Sequence, residues 1–261
     1  MVAIRAAYAA TDQRERYAMT NPPNTISDIG SAFGGDDLSL MRQLLDEDGY
    51  VYVTGVPDGF HYLSQLRRLG EPVPQYNGEL IRDVKPEPDI GDDVYSASNT
   101  RELMPHTESY EFEGLPPRYV ALWCVQPAQE PGGETTLADG YRFLRQFSPD
   151  EQQAMRSRVY DWRSSPSLAS RGVQMCARHP ILESHRAGLV MRYSNRDIVR
   201  VDDGLLPRYV DGGRRFFEAS KLAIRIDRNA VLVWDNWRMM HARNGFTDRS
   251  RHLRRVLISA A

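Results

Sequence analysis

Three residues of this chain have the types and spacing of a metal-binding triad. His106 and Glu108 lie two residues apart, just before the apolar run 118–125. In a β-strand, residues i and i+2 point to the same face, so one imidazole and one carboxylate would enter one cavity. His241, far along the chain, is the candidate for the second imidazole. Two His and one carboxylate form the set that holds non-heme Fe(II) and leaves coordination positions open.

Two further residues suit an organic diacid bound to such a metal. Arg255 lies in the apolar segment 255–259, where alternate residues of a strand would share one face. An Arg buried there needs a partner, and the far carboxylate of a chelating diacid would be one. Thr135, which follows a Gly-Gly turn, offers a hydroxyl to the same carboxylate. The alternative for Arg255 is a surface position in a basic run with Arg249, Arg251 and Arg254.

Four neighbouring residues are candidates for substrate contact. Asn99 and Glu102 precede the His-x-Glu pair, and their side chains suit an amine or an amide. Trp237 and Arg238 lie shortly before His241, where they would line a pocket around the metal. The alternatives are solvated loop positions for the first two and a place in the aromatic core for Trp237.

Composition excludes several classes of protein. The 261 residues carry a net charge of −2, which gives no electrostatic case for nucleic acid. The two cysteines form neither a disulfide framework nor a cysteine-type zinc site. No apolar run approaches the roughly 18 residues of a membrane span, and no apolar leader is present. We expect a soluble, cytoplasmic protein that binds a small molecule, and its oligomeric state stays open.

The pattern of short apolar segments predicts a single domain over 1–261, mostly β with flanking helices, with 1–35 as a loosely patterned arm. Many short strands with a few added helices favour a sandwich or a jelly roll. Two polar, irregular stretches, 71–104 and 164–178, are predicted to cover the site as loops. Strands are predicted at 50–53, 118–125, 134–138, 159–163, 180–185, 189–193, 231–234 and 255–259, and helices at 36–49, 60–70, 139–157 and 212–223.

The order of these motifs resembles the taurine dioxygenase family of Fe(II)/2-oxoglutarate oxygenases. The shared pattern is His-x-Glu, Gly-Gly-x-Thr, Trp-Asp-Asn-x-x-x-His and a final strand with Arg-Arg-Val. The resemblance implies a double-stranded β-helix, metal binding by the triad, and 2-oxoglutarate held by Thr135 and Arg255. Glu108, where most members have Asp, is similar to the clavaminate synthase-like branch, which includes amino-acid hydroxylases of antibiotic pathways. Ser259 stands where taurine-oxidising members have a second, sulfonate-binding Arg.

The resemblance therefore implies a dioxygenase that uses Fe(II), 2-oxoglutarate and O2. Its expected substrate is a small amino acid or an amino-acid-derived metabolite of specialised biosynthesis. Hydroxylation is the default outcome, and desaturation, cyclisation or epoxidation would use the same residues. The main alternative is a jelly-roll sensor that binds a metal without turnover. A zinc hydrolase is disfavoured because the sequence offers no general base beyond Glu108.

Overall fold

The computed structural model describes residues 22–34, 38–88 and 97–260. Most of the expected N-terminal arm and the expected first turn of the helix at 36–49 fall outside these ranges. None of the helices within them is long and apolar enough to cross a membrane. In chain order the elements are β1 (Thr25–Ile26), α1 (Ile29–Phe33), α2 (Ser39–Asp48), β2 (Tyr50–Val53), α3 (Tyr62–Leu66), β3 (Pro72–Val73), β4 (Ile81–Val84), β5 (Leu103–His106), β6 (Tyr119–Gln126), β7 (Thr135–Asp139), α4 (Gly140–Leu144), α5 (Pro149–Ser157), β8 (Val159–Arg163), α6 (Pro166–Ala169), β9 (Cys176–Pro180), β10 (Leu182–His185), β11 (Gly188–Met191), α7 (Leu205–Ser220), β12 (Leu222–Ile224), β13 (Val231–Asp235), β14 (Met239–Arg243) and β15 (His252–Ile258).

Two β-sheets form the centre of the fold. The larger sheet has the strand order β1-β2-β13-β6-β15-β3, and β4 also pairs with β15. The smaller sheet has the order β12-β7-β14-β5. Both sheets contribute to a cluster of buried side chains that includes Leu122, Leu137 and Leu257. The two sheets form the double-stranded β-helix that the sequence predicted.

Side chains alternate along the central strands, so neighbouring residues of one strand pack in different clusters of buried side chains. On β13, Trp234 joins the cluster shared by the two sheets, whereas Val233 packs in a second cluster with α1, α2 and α3. On β14, Met240 and Ala242 pack in a third cluster with α4, α5 and α7. His241, between them, therefore points the opposite way. Because both faces of these strands are buried, a slip of one residue in register would exchange the two sets of side chains.

Two stretches predicted as loops over the site contain regular structure, although both supply residues to the cavity around the predicted triad. The stretch 71–104 is not one loop, because β3 and β4 pair with β15 and its last residues begin β5, while 89–96 lie outside the described ranges. The second stretch, 164–178, contains α6 and the start of β9. Strand β14, whose five residues pair with both β5 and β7, was not predicted from the sequence. Short strands next to turns carry too few residues for their alternation to be recognised.

The last helix begins seven residues earlier than predicted. Asp203 accepts hydrogen bonds from the backbone N–H groups of Leu205 and Leu206, which marks the start of α7. The sequence prediction began at Gly212 because glycines usually interrupt helices. Gly213 has a packing role, since a Cβ there would lie 2.3 Å from the ring of Tyr193. The helix predicted at 139–157 is divided into α4 and α5, and α5 begins at Pro149 after Ser148, which forms a capping box.

The turn before β7 supplies a stability prediction. Gly132 has a φ of +104°, and a Cβ there would lie 2.2 Å from the carbonyl oxygen of Gly245. We expect Gly132→Ala to lower the free energy of unfolding by about 2–4 kcal/mol, through backbone strain and overpacking together. Urea unfolding measures the loss. Gly78→Ala is the control, because Gly78 has a φ of +82° in open space. That variant should lose only about 1 kcal/mol, and equal losses in the two variants would contradict the clash.

Candidate functional site

The three residues of the predicted triad converge on one point. His106 ends β5 and pairs directly with His241 on β14, while Glu108 follows His106 by two residues. One ligand atom from each residue lies within 4.8 Å of the other two. Oε2 of Glu108 is 3.9 Å from Nε2 of His106 and 3.6 Å from Nε2 of His241. The three side chains can bind one metal ion from one side and leave the coordination positions on its other side open.

Burial and local charge prepare these side chains as ligands. Burial, reinforced by His241, lowers the pKa of His106 to about 4, so its imidazole is neutral at physiological pH. Burial opposes ionisation of Glu108, but Arg255 and the two imidazoles outweigh it and hold the pKa of its carboxyl well below the usual value. The Nδ1 atom of His241 is buried and has no hydrogen-bond partner among the described residues. Two imidazoles and a carboxylate fit Fe(II), and metal binding by them stays a prediction.

Neighbouring groups fix the orientation of the triad. The carbonyl oxygen of Met104 lies 2.9 Å from Nδ1 of His106, which leaves Nε2 of that ring free to face Glu108. Asn236 clamps the backbone of Glu108 from both sides. Its Oδ1 accepts the N–H of Glu108 at 2.6 Å, and its Nδ2 donates to the carbonyls of Glu108 (3.1 Å) and Pro117 (2.9 Å). The Trp-Asp-Asn segment after β13 thereby positions a carboxylate that is distant in sequence.

The triad opens into a cavity lined by residues of both sheets and of the connections between them. Thr135, on β7, faces this cavity, as the sequence predicted. Arg251 also lines it, although the sequence analysis treated this residue only as part of a basic run. Its side chain is 4% exposed, and its Nη1 has no hydrogen-bond partner among the described residues. Burial lowers the pKa of this guanidinium to about 10, so it stays charged but needs an anion.

Arg255 contacts the triad itself. Its Nη1 lies 2.8 Å from Oε2 of Glu108, and its Nε and Nη2 donate to Oε1 of Gln75 at 3.1 and 2.9 Å. Gln75 in turn donates to the carbonyl oxygen of Arg255 at 2.9 Å. The guanidinium is therefore held beside a predicted metal ligand. Its predicted role at the far carboxylate, shared with Thr135, stays a prediction, and the contacts favour a different assignment.

Two of the four candidate substrate residues lie in the core and in a structural ion pair. Trp237 is 1% exposed and donates its indole N–H to the carbonyl of Pro116 at 2.9 Å. Arg238 pairs with Asp139 at 2.7 Å and donates to the carbonyl of Asp46 near the end of α2. Neither residue lines the cavity of the triad. The prediction for both was wrong because closeness in sequence to His241 does not place a turn residue on the inner face of β14.

The other two candidates also lie away from the cavity lining. Asn99 is buried, but its Oδ1 accepts the backbone N–H of Arg101 and a hydrogen bond from Arg243. Glu102 is exposed. The residue of this kind that the sequence analysis missed is Glu111, three positions after Glu108, whose buried carboxylate does line the cavity. The sequence signal was weak, because this carboxylate close to the His-x-Glu pair lies in a turn, where spacing does not predict the direction of a side chain.

Fold and site together define a class: a double-stranded β-helix with a facial triad of two His and one carboxylate. The chain belongs to the taurine catabolism dioxygenase TauD, TfdA family, whose model matches residues 27–257. Gamma-butyrobetaine dioxygenase of Homo sapiens is 26% identical over 240 residues, which cover 83% of this chain and 57% of that protein. The protein of the same name from Pongo abelii gives the same values. The chain thus spans just over half the length of these curated relatives.

Solved structures agree on the fold. An asparagine oxygenase in complex with Fe(II), 2S,3S-3-hydroxyasparagine and succinate has a TM-score of 0.70 at 21% identity, over 84% of this chain and 77% of that one. The non-heme iron oxygenase OrfP in complex with Fe and alpha-ketoglutaric acid has a TM-score of 0.67 at 20% identity, over 87% and 80% of the two chains.

The clamp on Glu108 supplies the prediction for this site. We expect Asn236→Ala to weaken Fe(II) binding by roughly 10–100-fold, the usual effect of removing a group that orients a metal ligand. Calorimetric titration with Fe(II) under anaerobic conditions measures the affinity. Asn77→Ala is the matched control, because Asn77 is exposed and its side chain bonds to the neighbouring Glu79. An unchanged affinity in Asn236→Ala would mean that Glu108 does not depend on the clamp.

Proposed function

We propose that this chain is an Fe(II)- and 2-oxoglutarate-dependent dioxygenase that oxidises a small amino acid or an amino-acid-derived metabolite, with hydroxylation as the default outcome. The observation that carries the proposal is the cavity lined by both the triad and Arg251, whose Nη1 has no hydrogen-bond partner in the described part of the chain. A metal site built only to bind a metal has no need of a buried cation beside it. A diacid that chelates the metal would satisfy both groups.

The residues divide the work of binding. His106, Glu108 and His241 would hold the iron, and Thr135 with Arg251 would hold the far carboxylate of 2-oxoglutarate. Arg255 keeps Glu108 ionised through the direct contact between the two side chains. When bound, iron and 2-oxoglutarate supply the oxidising chemistry, in which O2 is consumed and succinate and CO2 are released. The protein's own part is to orient the substrate and to keep water and competing reactions out.

The assignment of two arginines changes one inference drawn from the sequence. Arg251 and Arg255 are four residues apart, and both line the cavity, whereas Ser259 does not. The two arginines of the cavity therefore lie four residues earlier in the sequence than positions 255 and 259, which the resemblance implied. The serine at position 259 consequently gives no argument against a sulfonate substrate.

Several observations support an amino-acid substrate. The asparagine oxygenase structure contains hydroxyasparagine, and an OrfP structure contains (3S)-hydroxy-L-Arg. The His-x-Glu form of the triad resembles that of the clavaminate synthase-like branch, which includes amino-acid hydroxylases of antibiotic pathways. Because of this resemblance, the proposal includes a role in specialised metabolism. Desaturation, cyclisation and epoxidation are alternative outcomes, and the mass of the product distinguishes them from hydroxylation.

The first test is turnover. We expect purified protein supplied with Fe(II), 2-oxoglutarate and O2 to form succinate, and a panel of amino acids to reveal one that accelerates this and gains one oxygen atom. EDTA and His241→Ala should each abolish succinate formation, because the metal loses its site. Mass spectrometry of the product and an assay for succinate provide the measurements. A protein that binds Fe(II) and forms no succinate under any of these conditions would be a metal-binding sensor.

The second test separates the three arginines of the last strand region. Arg251→Ala should raise the KM for 2-oxoglutarate by about 30-fold or more, because a buried charge pair is worth about 2–5 kcal/mol. Arg254→Ala is the control, since Arg254 is half-exposed and pairs with Asp83 outside the cavity. Steady-state kinetics with varied 2-oxoglutarate gives the three values. If Arg255→Ala raises this KM and Arg251→Ala does not, the original sequence prediction is correct.

A further inference from the structure

One wall of the cavity carries a buried carboxylate that the triad does not use. Glu111 is 2% exposed and lines the same cavity as His106. Its Oε1 accepts a hydrogen bond from the hydroxyl of Tyr76 at 2.6 Å. Its Oε2 is buried and has no hydrogen-bond partner among the described residues. An unpartnered carboxylate oxygen in such a place is costly unless a ligand supplies a donor.

The surroundings of Glu111 are acidic. Burial, helped by Glu108 and Asp197, raises the pKa of the Glu111 carboxyl to about 7, against the opposing hydrogen bond from Tyr76. Asp197 lines the cavity as well and accepts the hydroxyl of Tyr110 at 2.5 Å. No salt bridge joins Glu111 to an Arg or a Lys within the described ranges. Glu111 therefore has no cationic partner among the residues that the structure describes.

Positively charged side chains also line the cavity. Arg255 is held between Glu108 and Gln75, and Arg82, its partner in the register of β4 and β15, also lines the cavity. The lining of the cavity thus carries guanidinium groups, including that of Arg196 next to Asp197, as well as the carboxyl groups of Glu111 and Asp197. A zwitterion could pair its carboxylate with a guanidinium and its ammonium with Glu111.

We propose that Glu111, held by Tyr76, is a specificity-determining residue that binds a primary ammonium group of the substrate. This inference rests on the proposed function and names the chemical feature that the site selects. Oε2 of Glu111 needs an N–H donor, and a primary ammonium has three. A trimethylammonium group has none, so the wall should discriminate between the two even though their charges are equal. A substrate without any amine would leave the carboxylate unpartnered, and it should bind weakly.

The test compares ligands before it compares variants. The probe is the standard L-amino acid that binds most tightly to the wild-type protein loaded with Fe(II) and 2-oxoglutarate under nitrogen, as measured by calorimetry. Its desamino analogue and its N-trimethyl derivative are then titrated. We expect both to bind about 10–100-fold more weakly, the range for one charge-assisted hydrogen bond. Equal affinity for the amino acid and the desamino acid would overturn the inference, as would the absence of binding by every amino acid.

A matched pair of variants assigns the effect to one residue. Glu111→Gln keeps the shape of the side chain and removes its charge, and it should bring the affinities for amino acid and desamino acid to within about threefold of each other. Glu113→Gln changes an exposed carboxylate two positions away, and it should keep the wild-type preference. An undiminished preference in Glu111→Gln would overturn the inference. Thermal unfolding checks that both variants fold, and the ligand comparison on the wild-type protein does not depend on them.

Failure of this inference and failure of the proposed function give different results. Conversion of 2-oxoglutarate to succinate by the wild-type protein without any amino acid reports iron and 2-oxoglutarate chemistry alone. Succinate formation with no preference for amines would retain the proposed oxygenase and reject the role of Glu111. A preference for amines without any succinate would retain the ammonium site and reject the oxygenase.

Discussion

The direct pairing of His106 with His241 across β5 and β14 is the constraint on which the rest of the site depends. It brings together two imidazoles that are far apart in the chain, and the i+2 position of Glu108 completes the triad. Register is maintained from the far side of the sheet, where Met240 and Ala242 are buried against the outer helices. A slip of one residue would bury His241 among apolar side chains and turn a methionine toward the cavity. The helices therefore act on the metal site through the register of one short strand.

The sequence was sufficient for those parts of the site that follow from local patterns. The His-x-Glu pair could be recognised from its i, i+2 spacing, Thr135 from the Gly-Gly turn before it, and the strands at 118–125 and 231–234 from continuous apolar runs. The choice between Arg251 and Arg255 could not be made, because β15 begins at His252, within a polar segment that does not resemble a strand. Trp237 and Arg238 were misplaced because a turn reverses the chain beside them. Glu111 lies in a turn, where spacing says nothing about direction.

Charge is distributed so that each group of the cavity is matched by another group or by a ligand. Arg255 serves Glu108, and through this contact the carboxylate stays ionised despite its burial. Arg251 and Glu111 each have one polar atom with no partner among the residues described, on a cationic and an anionic group respectively. Removing such groups from water is unfavourable in the empty protein and becomes favourable only when ligands of opposite charge arrive. Stability given up in this way is characteristic of sites that select their ligands by charge.

The connection between β3 and β4 holds two consecutive side chains against two different residues of the cavity lining. Gln75 bonds the arginine beside the metal ligand, and Tyr76 bonds Glu111. A tight turn closed by bonds between Gln75 and Glu79 and between Gly78 and Gln75 holds both. Divergence of this connection during evolution would therefore alter the electrostatics of the metal and the choice of substrate in one event. Grafting it from a relative would transplant both properties, so an engineer who seeks a new substrate would do better to vary Asp197, which belongs to another part of the chain.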